Sequence, residues 1–316
     1  MCVAWMSCGQ VDVAVTHCGV CHTDISLAFD AWKRSKFPFI PGHEAVGIVM
    51  EVGRSVKLVK VGDRVGVGYI RDTCGVCLSC LRGEENICSA GIQGTIEFGG
   101  KGGWANVVRA KAKFVFPIPD QLSSLDAAPL LCAGVTVYSP LKAHVTPGCE
   151  VCILGCGGLG HLAVQFASKM GACVTCVDID PGKAADCMRL GADRHMSLED
   201  FLSGNTKFNL VLNSSPMVVD AKKAMSALFP GGTLVQLGIP GAGLTADVPL
   251  LETTMLQLQF AGSNVGGRAT MMECLQFAAK KGIRPMVEPM PFAQVNEAIE
   301  RINSGKAHFR IVLVNE

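Results

Sequence analysis

The chain lacks a charge imbalance, a membrane-length apolar run and an N-terminal leader pattern, and each absence removes a class of function. Lysine and arginine number 28 against 27 aspartates and glutamates, a formal net charge of +1. That balance sets up no field to attract nucleic acid or acidic lipid. No apolar run reaches the roughly 18 residues a membrane span needs. No N-terminal stretch reads as basic, then apolar, then a cleavage site. Internal repeats, low-complexity tracts and charged tails are missing too. What remains is a globular protein of 316 residues, long enough for a large core in roughly two domains. Its 36 glycines and 49% hydrophobic residues suit tightly turned α/β structure.

Cysteine, by contrast, is plentiful at sixteen. Four stand in one short loop, Cys74-Gly-Val-Cys77-Leu-Ser-Cys80 and then Cys88. Two residues between successive cysteines let thiolates converge on a tetrahedral zinc, and a fourth sulfur closes the shell. An ion so enclosed holds structure and does no chemistry. The competing reading is a pair of disulfides. Against it, Cys149, Cys152, Cys156, Cys173, Cys176 and Cys187 lie in or beside apolar runs, where free thiols pack as small hydrophobes. Cys173-Val-Thr-Cys176 looks like a redox pair, but strand alternation sends its sulfurs to opposite faces. A soluble, cytosolic protein is predicted.

The chain changes character along its length. Up to about residue 125 it reads as short strands: Val11 to Val15, Ala45 to Val52 and Arg64 to Tyr69. Helical pattern begins at Ser124 and runs through Leu130 to Tyr138. Beyond Pro147-Gly148 strands and helices alternate. Glu150 to Leu154, Cys173 to Val177, Asn209 to Leu212 and Thr233 to Leu237 read as strands. Leu159 to Met170, Ala184 to Leu190 and Ala221 to Leu228 read as helices. That alternation implies a parallel sheet covered on both faces. Helices follow at Thr270 to Lys281 and Gln294 to Asn303. A last strand, Arg310 to Val314, is expected to return to the first domain.

Gly155-Cys-Gly157-Gly158-Leu159-Gly160 follows a predicted strand and opens a predicted helix, the setting of a dinucleotide fingerprint. The first glycine makes the turn, the second lets backbone approach the pyrophosphate, and the third lets helix and sheet pack closely. Asp178 ends the next strand, eighteen residues past Gly160. A carboxylate there accepts from a ribose 2′-hydroxyl and repels a 2′-phosphate, which favours NAD over NADP. Its plainer role is capping the turn that follows.

Cys21-His22-Thr23-Asp24, Gly42-His43-Glu44 and Cys132 offer two thiolates and an imidazole, the donors of an open catalytic zinc site. Spacing alone does not show that they meet. Together with Cys18-Gly-Val-Cys21, the Cys74 to Cys88 cluster, Leu131-Cys132-Ala-Gly-Val-Thr-Val-Tyr138, Gly155 to Gly160, Gly262-Ser263 and Phe309 to Leu313, they carry a resemblance over nearly the whole chain. The sequence resembles a zinc-dependent alcohol dehydrogenase of the medium-chain dehydrogenase/reductase family, within its cinnamyl alcohol dehydrogenase-like branch.

The resemblance implies an α/β fold: a Rossmann-type doubly wound parallel sheet over residues 126–262, plus a β-rich GroES-like catalytic domain over 1–125, completed by about 263–316, carrying the structural zinc lobe. It implies Cys21, His43 and Cys132 as ligands of a catalytic zinc and Cys74, Cys77, Cys80 and Cys88 as ligands of a structural one. Glu44 is then a carboxylate able to approach the metal, Asp24 steadies His43, and Thr23 takes the proton from the alcohol. His22 and Thr136 are expected at the cofactor, Lys183 at its adenosine ribose, and Trp32 and Tyr69 in the substrate pocket, where ordinary aromatic packing competes as an explanation. A small-molecule alcohol or aldehyde is the expected partner, with nicotinamide carrying the hydride, and the protein is expected as a homodimer or homotetramer.

Three departures stand out. Ser26 occupies a place where many relatives have a histidine that passes the proton to water, so slower turnover at low pH is predicted. Only twenty residues precede Cys21, about one β-hairpin short of the pattern, which predicts an exposed sheet edge. Branch relatives commonly use NADP and carry small hydroxyl residues where Asp178 stands, against the local charge argument. Rival readings are a zinc polyol dehydrogenase of the same fold and a truncated, non-catalytic paralogue binding dinucleotide and zinc. A nucleic-acid-binding zinc module is disfavoured by the charge.

Overall fold

The computed structural model describes residues 6–97, 99–215, 219–239 and 244–315. The first five residues of the short segment before Cys21 lie outside them. Strands run in chain order β1 Gln10–Val20, β2 Ala45–Val52, β3 Arg64–Val67, β4 Ile70–Asp72 and β5 Gln93–Gly94. Then come β6 Val107–Lys111, β7 Val115–Pro117, β8 Glu150–Leu154, β9 Cys173–Asp178 and β10 Arg194–Ser197. The series closes with β11 Phe208–Asn213, β12 Leu228–Gln236, β13 Gln259–Gly262, β14 Val287–Pro291 and β15 Arg310–Val314. Residues up to Val135 and from Gly266 onward form one compact unit, and Thr136–Val265 another.

The first unit is built on a seven-stranded sheet in the order β14-β15-β1-β2-β3-β7, with β6 also on β1. All its pairs are antiparallel except β14 with β15. β1 shows why this sequence makes a strand: Val11, Val13 and Val15 point inward and are essentially fully buried, while Asp12 and Ala14 face the half-buried side. Each such valine stabilises the sheet by about 1.5 kcal/mol or more. The predicted return of the last strand is observed, β15 pairing with β1 from His17 to Val20. β6 takes the same edge from Gln10 to Ala14 and β2 the other, so β1 is paired on both sides.

The second unit is a six-stranded, wholly parallel sheet in the order β10-β9-β8-β11-β12-β13. The order turns at β8, and in such sheets ligands bind beyond the strand ends at that turning point. The glycine loop leaves β8 there.

Local readings differ from the structure in three places. β3 stops at Val67, and a separate short strand resumes at Ile70. The helix expected to reach Leu228 ends at Ser226, and Leu228 instead opens β12. The helical run around Leu130 is not regular either. Residues Leu130–Gly134 form a π-turn between the helices Ser124–Pro129 and Val135–His144. Pro129 has no N–H to give an α-helical bond, which favours such a break. Among the described residues no helix is long and apolar enough to cross a membrane.

Candidate active site

The first unit gathers Cys21, His43, Glu44 and Cys132, with one donor atom from each all within 4.8 Å of one another. Each comes from a different local device. Cys21 is the N-cap of helix α1, His22–Ala28. His43 and Glu44 immediately precede β2, both fully buried. Cys132 sits at the centre of the π-turn, a distortion often found where a side chain must be aimed at a site.

Asp24 organises this group. Its Oδ1 accepts from the Gly42 backbone N–H at 2.7 Å and pairs with His43 Nδ1 at 2.9 Å. Its Oδ2 accepts from the Cys21 N–H at 3.1 Å. A carboxylate on Nδ1 places the ring proton there and leaves Nε2 as the free lone pair. That Nε2 is buried, with no hydrogen-bond partner among the described residues. The Cys132 thiol donating to Cys21 holds Cys21 well below the usual thiol range, helped by the His43 ring. The same contact, with burial, pushes Cys132 well up. Two thiols and an orphaned imidazole nitrogen fit a zinc ion with a fourth position to spare.

Glu44 was read as able to approach the metal. Its Oε2 is buried and unpartnered, while Oε1 accepts from the Arg310 guanidinium. Burial pushes its carboxyl up to about 7 despite Arg310. Gly19 makes room: a Cβ there would stand 1.8 Å from Glu44 Oε2. Arg310 is a site residue that the sequence reading missed. Its signal was one guanidinium opening the otherwise apolar strand Ile311 to Val314.

Thr23 and Ser26 lie three apart on α1, neighbours along one face of the helix. His22 is exposed at its first turn. The Tyr69 ring meets His43 edge-on, centroids 5.6 Å apart, which puts it beside the donor group. Trp32 lies half-buried in the loop after α1 and is not among the clustered donors.

Cys74, Cys77, Cys80 and Cys88 converge as a second group. Their sulfurs stand 3.9 Å (Cys74 to Cys80), 3.9 Å (Cys77 to Cys88) and 3.5 Å (Cys88 to Cys74) apart. A tetrahedron of sulfurs about 2.3 Å from zinc has edges of about 3.8 Å. The same sulfurs are too far apart for disulfides, and all four are free thiols. Backbone N–H groups turn toward them: the Cys77 N–H lies 3.4 Å from Cys74 Sγ, and the N–H groups of Cys80 and Ser89 pull the Cys77 thiol down to about 5.

In the second unit the glycine loop has the predicted form. Gly155 has φ +86°, the left-handed turn. A Cβ on Gly157 would meet nothing within 4 Å, leaving open space where a pyrophosphate would approach, with Gly158 and Leu159 completing the turn. A Cβ on Gly160 would stand 1.8 Å from the Gly155 carbonyl, so the ten-residue helix Gly160–Lys169 needs glycine at its start. Asp178 ends β9, where Oδ2 accepts from the Cys156 N–H at 2.6 Å. Lys183 Nζ lies 3.1 Å from the same carboxylate. Thr136, buried, stands in the first turn of the helix Val135–His144.

Comparison with known proteins agrees with this geometry. Residues 7–120 match the alcohol dehydrogenase GroES-like domain, and residues 158–280 the zinc-binding dehydrogenase domain. An alcohol dehydrogenase of Geobacillus stearothermophilus is 40% identical over 317 residues, covering 96% of this chain and 91% of the relative. The structure of a cinnamyl alcohol dehydrogenase from Sorghum bicolor superposes with a TM-score of 0.93 at 33% identity, covering 99% of this chain and 92% of that one. A cinnamyl alcohol dehydrogenase from Helicobacter pylori, complexed with NADP(H), gives 0.91 at 30% identity, covering 98% and 91%. The chain belongs to the zinc-binding alcohol dehydrogenase family.

Proposed function

We propose that this member of the family interconverts primary alcohols, aromatic or allylic ones included, with their aldehydes, using NAD and two zinc ions per chain. The observation that carries the reading is the buried, unpartnered His43 Nε2, fixed through Nδ1 by Asp24 and grouped with Cys21 and Cys132. A scaffold that only bound dinucleotide would need none of these residues. Zinc held by Cys21, His43 and Cys132 would supply Lewis acidity, easing ionisation of an alcohol or polarising a carbonyl. The nicotinamide would supply the two-electron acceptor.

The chain's own residues divide the remaining work. Asp24 holds the His43 ring in one tautomer and orientation. Thr23 accepts the alcohol proton, and Ser26 passes it outward through water. Glu44, with one free oxygen, balances charge beside the donors. Tyr69 bounds the substrate space next to His43, and Trp32 extends it. Cys74, Cys77, Cys80 and Cys88 hold the structural ion. Gly155, Gly157, Gly158, Leu159 and Gly160 cradle the pyrophosphate with Thr136 of the same unit, while Asp178 and Lys183 meet the adenosine ribose; His22 is taken as a further cofactor residue.

Zinc per chain in purified, undialysed protein tests the reading. At least two ions with cinnamyl alcohol oxidation support it, whereas one ion without activity would sink it. Faster turnover of sorbitol than of cinnamyl alcohol would move the assignment to a polyol dehydrogenase.

Two finer expectations follow. Because Asp178 is a buried carboxylate at the end of β9, kcat/KM is expected to favour NAD. Asp178→Ser should shift the NADP/NAD ratio of kcat/KM toward NADP by about tenfold or more, equivalent to roughly 1.4 kcal/mol. A parent enzyme faster with NADP overturns the argument. Because Ser26 relays weakly, Ser26→His is expected to raise turnover several-fold near pH 6 and little near pH 9. Equal rates across that range remove Ser26 from the relay.

A further inference from the structure

The second unit contains a group of thiols that neither zinc site uses. Cys156 comes from the glycine loop, Cys176 from β9 and Cys187 from the short helix Ala184–Arg189. Their sulfurs all lie within 4.8 Å of one another, and all three side chains are fully buried. Cys187 Sγ is 3.1 Å from Cys176 Sγ, a thiol contact and not a disulfide.

Packing as small hydrophobes would explain the burial. It does not explain the neighbour. His195 on β10 is in register with Cys176 on β9, and paired residues on adjacent strands project to the same face. The His195 ring lies on the face of the sheet that carries Cys176. Its Nε2 is buried and has no hydrogen-bond partner among the described residues. A buried ring nitrogen left without a partner costs free energy that a ligand could recover.

We propose that Cys156, Cys176 and Cys187 form a third metal site, selective for a soft cation of the zinc class, with His195, on the sheet face that carries Cys176, recruited as fourth donor when the ion binds. Three thiolates and one imidazole are a closed tetrahedral donor set for such an ion. The absence of oxygen donors from the set disfavours magnesium and calcium. Binding is ligand exchange: the ion loses its waters, each thiol loses its proton to solvent, and no electron moves. The ion would join the glycine loop to β9, β10 and the helix between them. Cys156 also donates its N–H to Asp178, so the site is braced directly against the dinucleotide loop.

The proposal is independent of the dehydrogenase reading, because its test is a difference between variants. Full-length protein from zinc-supplemented expression is compared with Cys187→Ala and with Cys152→Ala by elemental analysis. Cys152 is an equally buried thiol on β8 outside the group. Cys187→Ala is expected to hold one ion fewer per chain than the parent, and Cys152→Ala the same number. Equal counts in the parent and Cys187→Ala overturn the proposal, however many ions the other sites hold. If Cys187→Ala does not fold, cadmium NMR of the substituted parent decides. A resonance in the region of three-sulfur, one-nitrogen ligation, distinct from those of the Cys74 to Cys88 and Cys21 to Cys132 groups, supports the site, and its absence overturns it.

Discussion

His43→Ala is expected to lower kcat/KM for an alcohol substrate by at least about a thousandfold while the protein still folds. The expectation rests on what His43 does. Its ring is fully buried, and its one free nitrogen faces the donor group. Truncation leaves Cys21 and Cys132 as the only two thiolates, too few for a three-ligand catalytic zinc. Lewis-acid activation of an alcohol is a transition-state effect worth several kcal/mol, so its loss appears mainly in kcat. Asp24 keeps its bonds from the Gly42 and Cys21 N–H groups and is not left as a bare buried charge. The four-cysteine lobe is untouched, so the zinc count should fall by one and no more. Asp24→Asn makes the useful contrast. It leaves all three ligands and removes only the anchor on Nδ1, where losses of about 10- to 100-fold are usual. A His43→Ala enzyme with full zinc and activity within tenfold of the parent would exclude this site from the chemistry.

How much of this could be read from the sequence depends on how far apart the cooperating residues lie. The Cys74 to Cys88 loop and the glycine loop are local, and spacing alone indicated what the sulfurs and glycines would do. β2, β8 and β15 were legible to the residue, because continuous or alternating apolar runs with turn residues at their ends leave little choice. Cys21, His43 and Cys132 were different. Each has an unremarkable local setting, and only family resemblance joined them before the fold did. The π-turn that aims Cys132 was hidden within an apparently ordinary helical run. Cys156, Cys176 and Cys187 were read as core thiols, and burial bears that out. Their convergence follows from the packing of the glycine loop and a short helix against β9, which leaves no sequence signature. Arg310 was passed over because apolar periodicity identifies a strand and says nothing about the polar group it carries into the interior.

Arg310→Leu is expected to destabilise the first unit by about 3 to 5 kcal/mol, the usual result of removing one partner from a buried ion pair. Arg310 is 7% exposed at its side chain and Glu44 is fully buried. Leucine fills much of the volume but leaves the Glu44 carboxylate without its counter-charge, between an unpartnered Oε2 and the thiols. The size of the loss should depend on pH, and the sign can be worked out. Burial already pushes the Glu44 carboxyl up to about 7 with Arg310 in place. Without the guanidinium it goes higher still, so Glu44 stays protonated in the fold while it ionises in the unfolded chain above about pH 4.3. The folded state then binds more protons, and stability falls as pH rises through the folded value. The deficit of Arg310→Leu relative to the parent, compared in zinc-stripped protein, is therefore expected to grow between pH 6 and pH 9. Adding Glu44→Gln should restore most of it, since the buried charge is gone and a neutral amide replaces it. A pH-independent deficit, or no recovery in the double variant, would mean that Arg310 acts by packing within β15 and not by answering the charge of Glu44.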